Sequence, residues 1–128
     1  PATIRKVIDK HNPIQVWGTG EDIRDVIYVD DFVDGLINVM QKCTDKHEVV
    51  NIGSNTSYSV NEILDVCMEV DNYDAPIEYI SGKPSMIPIR KISSEKMKDK
   101  YGWEAKTSLS EGIEKTINWY REYYGTES

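Results

Sequence analysis

The sequence predicts an α/β fold, because short apolar strands alternate with amphipathic helices along its 128 residues. Two Ser-x-x-Glu capping boxes, Ser59 with Glu62 and Ser108 with Glu111, mark the starts of two helices. A hydrophobic content of 39% and a charged content of 29% are typical of a soluble globular protein. The length suits one domain, so we expect residues 1–128 to form a single unit.

Hydrophobic periodicity places the individual elements. Alternating apolar residues indicate strands, and apolar residues three and four positions apart indicate helices. Strands are predicted at 14–17, 23–29, 48–53 and 77–80, with a strand end at 89–92. Helices are predicted at 2–10, 31–42, 59–70, 94–102 and 109–124, the last with Tyr120 and Tyr124 facing inward. Residues 81–88 carry two prolines and a glycine, which favours an irregular loop.

The segment 30–53 does not suit a complete α/β domain. Asp30 or Asp31 is expected to cap a helix that is followed by the largely apolar strand 48–53. Together they look like one crossover unit without the other strands of its sheet, so we expect the chain to be part of something larger. The helix carries an apolar stripe of Phe32, Val33, Leu36, Ile37 and Met40.

Charge and composition argue against several classes of protein. A net charge of −7 disfavours nonspecific nucleic-acid binding. No apolar run approaches the roughly 20 residues that span a bilayer, and residues 1–13 are typical of an amphipathic helix rather than a secretory signal. Cys43 and Cys67 lack metal-ligand spacing, and His11 and His47 lie in polar surroundings. We therefore expect a cytoplasmic protein without a metal site.

Two loops have the composition of an anion site. In Trp17-Gly18-Thr19-Gly20, the glycines let backbone N–H groups turn toward an anion, and Arg24 adds a fork of donors that suits phosphate. Trp17 offers a flat surface for a base or a sugar. Lys83, in a proline-bounded loop, has the reach for a diphosphate. A glycine hairpin with a surface arginine, and an ordinary turn around Lys83, fit the same residues.

Other motifs favour structural roles. The paired carboxylates Asp30 and Asp31 precede a helix, where capping is favoured over acid–base work. No Gly-x-Gly-x-x-Gly loop, P-loop, Ser/His/Asp set or Tyr-x-x-x-Lys motif is found in the sequence. We therefore expect no catalytic and no cofactor-binding residues in this chain.

Four segments in order resemble the C-terminal part of extended short-chain dehydrogenases/reductases, the nucleotide-sugar epimerases, dehydratases and reductases. The "WGTG…R" and "KP…PIRK" patterns are most similar to GDP-L-fucose synthase-like members. The segments span nearly the whole chain: VWGTGEDIRDVIYVDDFVDGLINVM, VVNIGSNTSYSVNEI, GKPSMIPIRKI and YGWEAKTSLSEGIEKTINWY.

The resemblance implies a substrate-binding portion whose strand–helix unit packs on the Rossmann sheet of an N-terminal domain that this chain lacks. That domain binds NAD or NADP, so the isolated chain is expected to be inactive. The implied partners are a GDP-, UDP- or dTDP-sugar and the missing Rossmann half. Without that half, exposed apolar surface would favour a homo-oligomer. The alternative is a standalone, non-catalytic nucleotide-binding or interaction module.

The resemblance also implies roles for four residues. Trp17 corresponds to the family tryptophan beside the nucleotide, and Arg24 to the arginine on the substrate diphosphate. Lys83 corresponds to the lysine of the loop near the nucleotide, and Arg90 is a further candidate. Ser93 departs from the family, which often has aspartate there, so a loop contact near Arg90 is expected to be missing.

Overall fold

The computed structural model describes residues 1–83 and 87–125, and within them helices and short strands alternate as the α/β prediction requires. None of the described helices is long and apolar enough to cross a membrane. The elements in chain order are α1 (Ala2–Ile8), β1 (Ile14–Trp17), β2 (Ile23–Asp25), α2 (Val29–Lys42), β3 (Ser57–Ser59), α3 (Val60–Val70), β4 (Ile77–Ile80), β5 (Ile89–Arg90), α4 (Glu95–Tyr101) and α5 (Leu109–Tyr124).

The strands form two small sheets. In the first, β1 runs parallel to β4, with Trp17 beside Ile80 at the carboxyl end of both strands. In the second, β2 lies between β3, which is antiparallel, and β5, which is parallel. Because parallel strands end at the same edge, the loops that follow Trp17 and Ile80 leave the first sheet side by side.

The main core lies between α1, β1, α3 and α5. The α3 helix begins at the predicted capping box, in which Ser59 Oγ accepts the Glu62 N–H and the Glu62 carboxylate accepts the Ser59 N–H. Burial raises the pKa of the Cys67 thiol to about 11, so Cys67 behaves as an apolar core residue. The buried members are Val7, Ile14, Val16, Leu64, Cys67, Ala75, Ile113 and Ile117.

The predicted cap of α2 by Asp30 or Asp31 is wrong, because Asp31 has tertiary partners instead. The N-cap of α2 is Tyr28, and the Asp31 carboxylate accepts the N–H groups of Lys106 and Thr107, at 3.1 and 2.8 Å. Ser94 is the N-cap of α4 but makes no side-chain cap bond. Its Oγ accepts the N–H of Gly53. Local spacing predicts a cap, but it does not show which distant backbone groups compete for the same oxygen.

The predicted strand at 48–53 is not formed, and the strand predicted at 23–29 ends at Asp25. A strand needs a neighbouring backbone, and no described strand pairs with 48–53. The apolar stripe of α2 is present but uncovered: its five side chains are between 38% and 80% exposed. The strand–helix unit that the sequence predicts therefore has no sheet to pack on within the described residues.

The last turn of α5 also differs from the prediction. Ile113 and Ile117 are buried as expected, whereas Tyr124 is 61% exposed. Tyr120 lies half-buried, 4.7 Å from the Tyr124 ring. Ser108 Oγ accepts the Glu111 N–H, but the Glu111 carboxylate pairs with Lys115, so the second capping box is half formed.

An ion-pair network joins α4 to the segment after α2. The Glu48 carboxylate accepts hydrogen bonds from Lys100, Lys96 and the Tyr101 hydroxyl, which together hold its pKa well below the ordinary value. Cys43 Sγ and Asp45 lie within 4.8 Å of Glu48, a grouping that could suit a cation. Because Lys100 already pairs with both carboxylates, we interpret the grouping as a salt-bridge network.

Replacing Glu48 with Gln is expected to destabilise the fold in a pH-dependent way. The pKa of Glu48 is lower in the folded state than in the unfolded state, where it is ordinarily about 4.5. The ionised carboxylate therefore stabilises the fold fully above about pH 4.5, and the stabilisation is lost as the pH falls toward the folded-state pKa. The difference in unfolding free energy between wild type and Glu48→Gln should therefore be largest at neutral pH and narrow below about pH 4.5, as measured by urea unfolding.

Glu104→Gln provides the control, since the Glu104–Lys98 pair is more than half exposed. It should change stability less than Glu48→Gln does. A Glu48→Gln deficit that stays constant from pH 7 to pH 3 would contradict this account of the network.

Candidate functional site

The turn from Gly18 to Asp22 is held by the first turn of α3. The Asn61 N–H donates to the Gly20 carbonyl at 3.0 Å, and the Val60 N–H donates to the Asp22 carbonyl at 3.1 Å. The Asn61 amide also donates to the Thr19 carbonyl and the Glu21 carboxylate. The capping box that starts α3 thus also fixes the turn that joins β1 to β2.

Both glycines of the turn have left-handed backbones, with φ of 75° at Gly18 and 76° at Gly20. Two N–H groups of this segment are engaged by internal acceptors. Gly18 donates to the Ile80 carbonyl at 3.0 Å, and Glu21 donates to Thr19 Oγ1 at 3.4 Å. The glycines therefore shape the turn, and the described side chains next to it add positive charge.

Arg24 lies on β2 with its side chain 22% exposed. Its Nη1 donates to the carbonyls of Ile23 and Ile87 at 2.8 and 2.9 Å. Its Nη2 donates to the Asp22 carboxylate at 2.9 Å. Three hydrogen bonds therefore fix the guanidinium.

Arg90 is the direct neighbour of Arg24 across the sheet. The two residues are Cα partners in the parallel β2–β5 pair, and Tyr58 is the partner of Arg24 on the β3 side. Side chains of directly paired residues share a face, so Tyr58, Arg24 and Arg90 form a row. The sequence analysis did not identify Tyr58, although its place before the Ser59 cap could have predicted its strand.

Trp17 and Lys83 meet at the carboxyl edge of the β1–β4 pair. Lys83 Nζ lies 5.3 Å from the centroid of the Trp17 ring, within cation–π range. The indole is 63% exposed, an unusual position for a large aromatic side chain. Of the loop predicted at 81–88, residues 84–86 lie outside the described residues.

The structure thus arranges the four predicted site residues as two pairs, one on each side of the Gly18–Asp22 turn. Trp17 with Lys83 presents an aromatic face and a cation, and Arg24 with Arg90 presents two guanidinium groups. These are groups that bind phosphate and stack on planar rings.

A groove elsewhere, of about 660 Å³, contains none of these four residues. Its cations already have carboxylate partners: Lys10 pairs with Asp71 at 2.6 Å, and Arg5 pairs with Asp9 at 3.2 Å. We therefore assign Lys10 to an ion pair between the ends of α1 and α3, and Arg5 to an ion pair at the end of α1. Arg121 of α5 also pairs with Asp71, at 2.5 Å. The groove is lined by Arg5, Ile8, Asp9, Lys10, Tyr120, Arg121, Tyr124 and Gly125.

The fold matches solved nucleotide-sugar enzymes over almost all of this chain. A UDP-glucose 4-epimerase from Thermotoga maritima, solved with UDP-glucose, superposes with a TM-score of 0.84 and 30% identity, covering 95% of this chain and 38% of that one. A dTDP-glucose 4,6-dehydratase from Bacillus anthracis, in complex with NAD, superposes with a TM-score of 0.83 and 25% identity, covering 96% of this chain and 39% of that one. The chain therefore has the fold of the C-terminal portion of an extended short-chain dehydrogenase/reductase.

Sequence comparison agrees with the fold. The model of the NAD dependent epimerase/dehydratase family matches residues 1–53. The probable GDP-L-fucose synthase 1 of Oryza sativa subsp. japonica is 33% identical over 109 residues, which is 85% of this chain and 33% of the relative. The chain therefore resembles the C-terminal part of members of the NAD-dependent epimerase/dehydratase family, as its sequence motifs predicted, and spans about a third of the length of this relative.

Proposed function

We propose that the chain binds the nucleotide diphosphate of a nucleotide sugar, as the C-terminal part of an NAD(P)-dependent, GDP-L-fucose synthase-like epimerase or reductase. The observation that carries this proposal is the Arg24 guanidinium, whose Nη1 is held by the Ile23 and Ile87 carbonyls and whose Cα partner on the neighbouring strand is Arg90. A fixed guanidinium with a second arginine at the paired strand position suits a diphosphate, which carries charge on both of its phosphates.

The second pair is proposed to hold the nucleoside end of the same ligand. The exposed Trp17 ring would stack on the base or the ribose, and Lys83 would move from the ring to a phosphate oxygen. The named relatives act on different nucleotide sugars: GDP-L-fucose synthase, UDP-glucose 4-epimerase and dTDP-glucose 4,6-dehydratase. The proposed ligand class is accordingly a GDP-, UDP- or dTDP-sugar.

Residues 1–128 are proposed to form one substrate-binding domain that packs on a Rossmann domain, which would bind NAD or NADP. The uncovered α2 stripe and the unpaired 48–53 segment are the surfaces expected to make this contact. In the assembled enzyme, binding energy at the diphosphate would position the sugar ring against the nicotinamide. Hydride transfer would belong to the Rossmann part, so the isolated chain should have no turnover.

Arg24→Ala is expected to weaken nucleotide binding by about 30-fold or more, since a charge-assisted hydrogen-bonded pair contributes roughly 2 kcal/mol or more. Isothermal titration calorimetry with GDP, UDP and their sugars measures this loss. Arg5→Ala removes the same charge from an exposed arginine that pairs with Asp9, and it should leave affinity within about twofold. Equal losses in the two variants would contradict a specific role for Arg24.

The exposed stripe of α2 also suits a second candidate, a standalone nucleotide-binding or interaction module that forms homo-oligomers through this face. A cytoplasmic location is proposed for either candidate, since Cys43 and Cys67 are free thiols. Measuring turnover after adding the Rossmann half of a relative separates the two functions: reconstituted activity supports the enzyme part, and nucleotide binding without it supports the module.

A further inference from the structure

The Arg24 guanidinium already has an anionic partner within the chain. The Asp22 carboxylate accepts a hydrogen bond from Nη2 at 2.9 Å. The side chains are 22% exposed for Arg24 and 37% for Asp22, so the pair is partly shielded from water. In such surroundings the attraction between opposite charges is stronger than on an open surface.

We infer that Asp22 competes with the ligand phosphate for Arg24 and thereby lowers the affinity of the site. The inference rests on the proposed function and assigns an affinity-setting role to a residue outside the four predicted ones. The carboxylate occupies one edge of the guanidinium, so a phosphate must displace it or bind beside its negative charge.

Two observations favour competition over positioning. First, the backbone carbonyls of Ile23 and Ile87 hold Nη1, so the orientation of Arg24 does not depend on Asp22 alone. Second, the Asp22 carbonyl accepts the Val60 N–H at 3.1 Å, which fixes the Asp22 backbone at the start of α3. The carboxylate therefore stays close to the site when a ligand approaches. Removing its charge should strengthen phosphate binding.

Asp22→Asn tests this inference while keeping the size of the side chain and an oxygen that can accept the Nη2 hydrogen bond. Titration with GDP and with inorganic pyrophosphate should show about tenfold tighter binding than wild type, the size expected when one like charge a few ångströms away is removed. Pyrophosphate has no base, so a gain with this probe locates the effect at the phosphate contacts. Urea unfolding of the variant checks that the fold is retained.

Glu21→Gln is the matched control. It removes one negative charge from the adjacent position, where the carboxylate accepts the Asn61 amide rather than Arg24. Binding should stay within about twofold of wild type. If Asp22→Asn and Glu21→Gln increase affinity equally, the increase comes from overall charge, and the inference that Asp22 competes for Arg24 is overturned.

The remaining outcomes separate this inference from the proposed function. One outcome would be that wild type binds GDP, that Arg24→Ala abolishes this binding, and that Asp22→Asn binds GDP no tighter than wild type. In that case the proposed function stands, and the inference that Asp22 competes for Arg24 is overturned. Weaker binding by Asp22→Asn would make Asp22 a positioning residue for Arg24. If neither wild type nor Asp22→Asn binds GDP or pyrophosphate at millimolar concentration, both proposals are overturned.

Discussion

Gly20→Ala is expected to destabilise the chain by about 2–4 kcal/mol. The left-handed backbone at Gly20, with φ of 76°, disfavours any residue with a Cβ by roughly 1 kcal/mol. The added Cβ would also overlap the side-chain amide of Asn61, which bonds Thr19 and Glu21. Asn61 would have to rotate away, and each hydrogen bond lost contributes about 0.5–1.5 kcal/mol. Guanidinium chloride unfolding measures the change.

Gly18→Ala separates the two causes. Gly18 has nearly the same φ, 75°, but a Cβ there would meet no atom within 4 Å. This variant should lose only about 1 kcal/mol, from backbone strain alone. Combining Gly20→Ala with Asn61→Ala should add less than the sum of the two single losses, because the overlap is gone. If Gly18→Ala and Gly20→Ala are equally destabilising, packing on Asn61 has no part in holding the turn.

Introducing charge into the α2 stripe is expected to abolish docking of a Rossmann half. Leu36 and Ile37 are exposed on α2, so the double change Leu36→Asp, Ile37→Asp should leave the stability of the isolated chain within about 1 kcal/mol. Burying two unpaired carboxylates in an interface costs several kcal/mol, enough to weaken association at least 100-fold. The measurement is calorimetric titration of the chain with the separately expressed Rossmann half of a GDP-L-fucose synthase.

The control changes two exposed aromatic residues on another helix. Trp119 and Tyr123, on α5, are 55% and 71% exposed, and replacing both with Asp should leave docking within about twofold. Comparable losses from the α2 and α5 pairs would contradict a docking surface on α2. A strongly destabilised α2 variant would show instead that the stripe contributes to the fold of this chain.

Helix positions were well predicted from the sequence, because helix signals are local. The capping box at Ser59 and the periodic apolar residues of α3 depend on neighbours within four positions, and both are confirmed. The strand at 48–53 fails for the opposite reason. An apolar run has strand propensity, but a strand forms only where another backbone completes its hydrogen bonds, and that partner is not encoded in the run itself.

The candidate site shows the same division. The sequence alone determined which residue types were available: a tryptophan, a lysine and two arginines in loops and short strands. It also showed the order of the family motifs that contain them. Pairing was decided by the tertiary structure, since strand register places Arg90 beside Arg24 and the ends of two parallel strands bring Lys83 over Trp17. Asp22 and Arg24 are two residues apart in sequence, so their contact is local. The positions of the two residues also depend on hydrogen bonds from distant elements, with Ile87 holding Arg24 and Val60 holding Asp22. Composition and local spacing therefore determined which functional side chains this protein has. The long-range register of the strands determined which of those side chains lie next to each other.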